Sequence, residues 1–229
     1  MRLSIIIPAY NEERTIAEVV RNVYHVQLPF DCEREIIIVD DGSTDYTSFV
    51  LNNLKKEIPF KLFSHKNNLG KGAAISTALA QVSGNFTLIQ DADLEYNPKE
   101  IPTLLSAVRD DISAVYSVRG IKKYPNRGLH FVAGAKLLTL LVDVLFHARL
   151  SDVYTGYKLF RTDVLRSLNL KSRGFEFEAE VTCKLLKYGF KISEIPITLY
   201  NPRNISEGKK IRPRDFFVGV KTIFSCLVL

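Results

Sequence analysis

Five short apolar runs, at residues 3–7, 35–39, 61–63, 86–90 and 114–118, alternate with four longer segments, 14–26, 45–56, 70–81 and 98–108, whose apolar residues recur at helical spacing. Short β-branched and aromatic runs read as strands, and the intervening segments read as helices. Strand and helix in strict alternation predict an α/β, doubly wound fold with a mostly parallel sheet. In this reading Ser43 or Thr44 caps the second helix, and Asn97-Pro98 opens the fourth with a cap followed by proline at the first helical position.

Sheets of this kind bind ligands beyond the carboxyl ends of their strands. The residues found there are PAYNEE, DDGSTD, HKNNLGKG and DADLEYNP, four polar clusters that the topology brings to one edge. After residue 129 the pattern changes to a long apolar helix, then SDVYTGYKLFR, a helix over 178–188, a strand over 191–197, and a basic loop running into a last apolar helix. This half is expected to complete the pocket. A chain of 229 residues can bury one substantial core, and no repeat or linker divides it.

A net charge of +6 favours an anionic partner without saying which. Cys32, Cys183 and Cys226 form neither a CxxC pair nor a disulfide-like framework, which points to a reducing compartment. The N-terminal apolar run stops at a proline and two acids and reads as a first strand rather than a leader. The most apolar stretch, 131–150, is interrupted by Lys136, Asp143, His147 and Arg149, so no membrane span is expected, since a span needs about 20 nearly unbroken apolar residues.

Asp91-Ala92-Asp93, just past a strand, is the most specific local feature, because hard divalent cations are held by carboxylates together with the phosphates of a ligand. A capped turn before Pro98 would use the same residues. Asp40-Asp41-Gly42-Ser43 ends the neighbouring strand, and four carboxylates at adjacent strand ends call for a cation or hydrogen-bond donors. Asn67 to Gly72 has the composition of a phosphate-cradling loop around Lys71, but its glycine spacing is not that of a Walker A sequence.

SIIIPAYNEE, IIIVDDGSTD, NNLGKGAA, QDADLEYNP, DVYTGYKLFR, FEFEAEV and YNPRNISEGKKI, in that order, resemble the family-two GT-A glycosyltransferases. Within that family they are most similar to the branch of dolichyl-phosphate mannose and polyprenyl-phosphate glucose synthases. The resemblance implies a GT-A catalytic domain over 1–211, followed by a C-terminal amphipathic helix over 212–229. It implies a UDP- or GDP-linked hexose as donor, a polyprenyl or dolichyl phosphate as acceptor, Mg²⁺ or Mn²⁺ as cofactor, and no nucleic-acid partner.

By the same resemblance Pro8, Ala9, Tyr10 and Glu12 line the nucleoside pocket, Asp40 contacts the base, and Asp41, Lys71, Asp91 and Ala92 complete the nucleotide-sugar site. Asp93 is the direct metal ligand, with Asp91 beside it. Glu95 stands where this branch often carries a metal-binding glutamine. Arg119 faces the donor phosphate, although Ser117-Val118 before it departs from the usual Gly-Ser. Arg127, Arg203, Lys209 and Lys210 fall where the family binds the acceptor phosphate and donor diphosphate, and Asp93, Arg119 and Arg203 are the expected catalytic set.

An acceptor phosphate is already an anion and attacks without a strong base, inverting the anomeric centre. A hydroxyl acceptor on a glycan would need a carboxylate base, for which Asp152 and Glu178 are the candidates. None of His25, His65, His130 and His147 is nominated as a catalyst. A nucleotidyltransferase would need a glycine- and arginine-rich loop where the acidic PAYNEE stands, and a donor-binding module without catalysis would share the same acids. In the last segment Arg212, Arg214 and Lys221 accompany Phe216, Phe217, Val220, Ile223, Phe224 and Leu227. That mixture suits an interfacial helix at the cytoplasmic face of a membrane, or a face packed on the domain or on a second copy of the chain.

Overall fold

The computed structural model describes residues 1–29, 31–119, 129–198, 203 and 210–228, with backbone only at 129–131. Strands β1 (Arg2–Ala9), β2 (Glu33–Asp40), β3 (Lys61–Ser64), β4 (Phe86–Ile89), β5 (Ala114–Arg119), β6 (Lys158–Arg161) and β7 (Ile192–Ile197) form one seven-stranded sheet in the order β3-β2-β1-β4-β6-β5-β7. β1 pairs in parallel with β2 and β4, β2 with β3, and β5 with β7. β6 runs antiparallel between β4 and β5.

The alternation of side chains along each strand divides the interior into two cores. Leu3, Ile5 and Ile7 of β1 and Ile36 and Ile38 of β2 point to one face, where they meet Val19, Val20 and Val23 of α1 (Ile16–His25), Leu51 of α2 (Thr47–Leu54) and Leu104 of α4 (Ile101–Ser106). Ile6, Ile37 and Val39 point to the other, against α3 (Lys71–Leu79), α6 (Thr162–Ser167) and α7 (Phe177–Lys187). Strands buried on both sides read as unbroken apolar runs, which is what made β1 and β2 visible in the sequence. A third cluster joins α5 (Leu129–Phe146) and α7 to α8 (Pro213–Val228) through Leu138, Val142, Cys183, Ile223 and Cys226. Among the described residues no helix is long and apolar enough to cross a membrane.

Two local expectations are corrected. Ser43 and Thr44 do not cap α2: the Ser43 hydroxyl accepts the Asn11 N–H at 2.9 Å and the Thr44 N–H donates to the Asn11 side chain at 2.8 Å. The Asp45 carboxylate takes the Thr47 N–H instead, at 2.9 Å. Asn97 does accept the Lys99 N–H, at 3.0 Å with Pro98 next to it, but the turn it opens is a 3₁₀ turn and α4 is shorter than the 98–108 run.

Candidate active site

A cleft of about 530 Å³ opens at the carboxyl edge of the sheet, bordered by the ends of β1 and β2, the loop after β4, Arg119 of β5 and the first turn of α8. Within it, Asp91 and Asp93 follow β4. The backbone just past Asp93 is bent at Leu94, whose φ of 59° lies in the left-handed region disfavoured for a leucine. The bend lets Asp93 accept the Glu95 N–H at 3.1 Å.

The negative charge gathered here is met by the chain's own cations. Lys71 binds Asp91 at 2.7 Å and Glu178 at 3.0 Å. The Arg203 guanidinium binds Asp93 at 2.7 Å and both oxygens of Glu12 at 3.0 and 3.1 Å, while the Arg203 N–H donates to Glu95 at 2.9 Å. Lys210 binds Glu12 at 2.6 Å and donates to the Tyr10 carbonyl. Burial pushes the Asp91 carboxyl up to about 6, with Lys71 opposing the rise and Asp93 adding to it. Burial, then the neighbouring Glu95 charge, also raises Asp93. Carboxylates that remain crowded beside a lysine and an arginine fit an additional hard cation.

Among the described residues no three acid, histidine or cysteine groups form a closed ion cage. Two carboxylates at a cleft mouth suit a cation that takes its other ligands from a diphosphate and water.

The acids of the second strand play other parts. Asp40 does not border the cleft; its carboxylate accepts the Ser43 N–H at 3.0 Å. Asp41 borders the cleft, but its oxygens accept the N–H groups of Leu69 and Gly70 at 2.9 and 2.8 Å and contact His65 at 2.6 Å. These amides therefore fold the loop onto Asp41 rather than facing a phosphate, as its composition had suggested. Gly42, at φ 70°, makes this approach: a Cβ there would stand 2.4 Å from the Asn67 carbonyl carbon. His65, held between Asp41 and Thr77, is a packing residue.

Arg119 borders the cleft and grips the buried Asp152 with two nitrogens, one at 2.7 Å. Pro8, Ala9, Tyr10, Ala92 and Glu95 also border it, whereas Arg127 and Lys209 lie outside the described residues. Residues that sequence reasoning passed over also converge here. Arg212 and Arg214, assigned to the terminal helix, border the cleft. Tyr96 stacks on Tyr157 and accepts the Gly156 N–H at 2.9 Å. A Cβ at Gly156 would lie 2.3 Å from an Asp91 oxygen, so the glycine in DVYTGYKLFR is there for close approach.

Over 231 residues the chain is 26% identical to a dolichol-phosphate mannosyltransferase of Pyrococcus furiosus, covering 99% of this chain and 62% of that one. Over 205 residues it is 29% identical to the low-salt glycan biosynthesis hexosyltransferase Agl6 of Haloferax volcanii, covering 88% and 48%. The chain thus spans between about half and two thirds of the length of these relatives. The fold is that of glucosyl-3-phosphoglycerate synthase from Mycobacterium tuberculosis, solved with Mn²⁺, UDP and glucosyl-3-phosphoglycerate: TM-score 0.75 at 20% identity, covering 99% of this chain and 80% of that one. The family described as Glycosyl transferase family 2 matches residues 4–168. Since that span runs from β1 through the Asp91–Asp93 rim to α6, the chain belongs to glycosyl transferase family 2.

Proposed function

We propose that this family-two glycosyltransferase moves a hexose from a UDP- or GDP-linked donor to a polyprenyl or dolichyl phosphate, with inversion at the anomeric carbon and with Mg²⁺ or Mn²⁺ as cofactor. One observation carries the choice of acceptor. Both carboxylates that the sequence offers as bases for a hydroxyl are already engaged, Asp152 by Arg119 and Glu178 by Lys71 and Lys158. The Glu178 carboxyl is buried, which works to raise its pKa, but the two lysines hold it below the usual range, the opposite of what a base requires. A phosphate acceptor is anionic and needs no such group.

In this reading Asp93, with Asp91 and Glu95 beside it, holds the cation, which when bound offsets charge on the departing diphosphate. Pro8, Ala9 and Tyr10, which border the cleft, take the nucleoside in the same reading. An acceptor phosphate oxygen attacks the anomeric carbon from the side opposite the diphosphate; that C–O bond breaks and its electron pair leaves with the diphosphate. Arg203, Lys210, Arg212 and Arg214 supply the positive rim that draws in the acceptor anion. The Pyrococcus relative, named for dolichol phosphate, supports the same class of acceptor. Free thiols at all three cysteines accord with a cytoplasmic setting, and the exposed apolar residues of α5 and α8 accord with peripheral contact at a membrane face.

The test is an assay of purified protein with Mn²⁺, a short polyprenyl phosphate and a panel of nucleotide sugars. Labelled sugar is expected in the organic phase, with stoichiometric nucleoside diphosphate release and at least a hundredfold loss in Asp93→Ala, on the order of the largest effects seen when metal-site groups are removed. Label that stays out of the organic phase and enters only a water-soluble glycan supplied in a parallel reaction would assign a hydroxyl acceptor instead.

A further inference from the structure

Lys158, the first residue of β6, has no exposed surface. Its ammonium donates to the carbonyls of Val153, at 3.0 Å, and Thr155, and to the Glu178 carboxylate, and it lies 4.8 Å from the centre of the Tyr116 ring. A lysine has three donors, and these three acceptors use them all. Burying a charge is expensive, and an apolar side chain on a central strand would be the stable choice. Burial pulls the Lys158 pKa down, and Glu178 opposes that pull.

Two branches lead from Lys158 to the same carboxylate. The ionic branch alternates in sign: Lys158 to Glu178, Glu178 to Lys71 at 3.0 Å, and Lys71 to Asp91 at 2.7 Å. Glu178 divides its charge between two lysines, which leaves Lys71 able to serve Asp91. The backbone branch runs through the Val153 and Thr155 carbonyls, which Lys158 holds, to Gly156, where even a Cβ would stand 2.3 Å from an Asp91 oxygen.

We propose that Lys158 is a positioning residue for the donor site: without touching the ligand, it sets both the orientation and the counter-charge of Asp91. The inference rests on the cleft's being a nucleotide-sugar site.

Two variants test it, Lys158→Met and the double variant K158M/E178Q. In the single variant Glu178 has Lys71 alone and draws it off Asp91; in the double variant the competing charge is gone and Lys71 returns. Calorimetry with Mn²⁺ and UDP or GDP is expected to show about tenfold weaker binding in the single variant, the size typical of groups that orient a ligand-holding residue, and about threefold or less in the double. A merely structural role would lower the melting temperature and the fraction of competent sites and leave the Kd of the remainder unchanged. A single-variant Kd within twofold of the parent, or a double variant no better than the single, overturns the proposal. Should neither nucleotide bind the parent protein, the nucleotide-sugar reading fails, and a crystal structure of Lys158→Met decides the positioning role by itself. A Lys71–Asp91 distance opened beyond about 4 Å upholds it, and an unchanged distance overturns it.

Discussion

Arg203 occupies two sides of the same acid cluster, neutralising Asp93 and Glu12 with its guanidinium and donating its backbone N–H to Glu95. A divalent cation on Asp93 must compete with that guanidinium. Arg203→Gln is therefore expected to bind Mn²⁺ in the absence of nucleotide about tenfold more tightly, the effect of removing a competitor worth about 1.4 kcal/mol. Titration followed by electron paramagnetic resonance reads this directly, and equal or weaker binding would show that the two cations do not share a carboxylate. Asp91 and Asp93 were legible in the sequence as candidates because they follow an apolar strand, but position alone does not separate them from Asp40 and Asp41, which follow β2 and accept loop amides. Lys158 was not legible. A lysine opening a four-residue strand that ends in an arginine reads as a solvated position, and only the approach of Glu178 from a distant helix makes it a buried one.

Elements are held in register by buried polar groups as well as by the cores. Glu35 of β2 accepts from Ser4 of β1, from Lys61 of β3 at 2.7 Å, and from the Ser83 N–H and hydroxyl at 2.9 Å each, so one carboxylate ties three strands and a turn together. Burial acts to raise its pKa, but Lys61 and the other donors outweigh it and bring it from 4.5 down to about 2. A depressed carboxyl contributes stability above its unfolded pKa and loses it as pH falls toward the folded one. Glu35→Gln should thus lower stability at pH 7 by about 2 kcal/mol, less than the full shift implies because Lys61 is half exposed and screened. The difference from the parent protein should shrink between about pH 4.5 and about pH 2, and urea melts across that range would reveal a constant gap if the carboxylate were incidental. The parallel strands were legible at this scale from apolar runs followed by polar clusters. β6, KLFR, is as short as β3, KLFS, and lies inside the SDVYTGYKLFR segment with no helical spacing on either side to set it off; its antiparallel direction follows from sheet position, which no local pattern encodes.

Across the whole molecule, α8 is both a structural layer and a surface. Gly219, Ile223 and Cys226 are buried against α5 and α7, while Phe217, Phe224 and Val228 are exposed, as are Leu137, Leu140 and Val144 of α5. Deleting the helix would uncover the third hydrophobic cluster, so membrane contact is better tested by the surface pair F217S/F224S, which leaves that cluster intact. Flotation with anionic liposomes is expected to fall at least threefold, with the melting temperature within about 2 °C of the parent, as for exposed substitutions. Unchanged flotation, accompanied by loss of a dimer, would assign the face to a second copy. The reversal of β6 has a separate consequence. Ile89 faces Lys158 across the β4–β6 ladder, and continuing that pairing by two residues sets Asp91 opposite Gly156. Slipping the ladder by one residue would put a threonine or tyrosine side chain where only a hydrogen fits, so a misaligned hairpin is sterically self-rejecting: the rim can close over its carboxylate in a single alignment of the two strands.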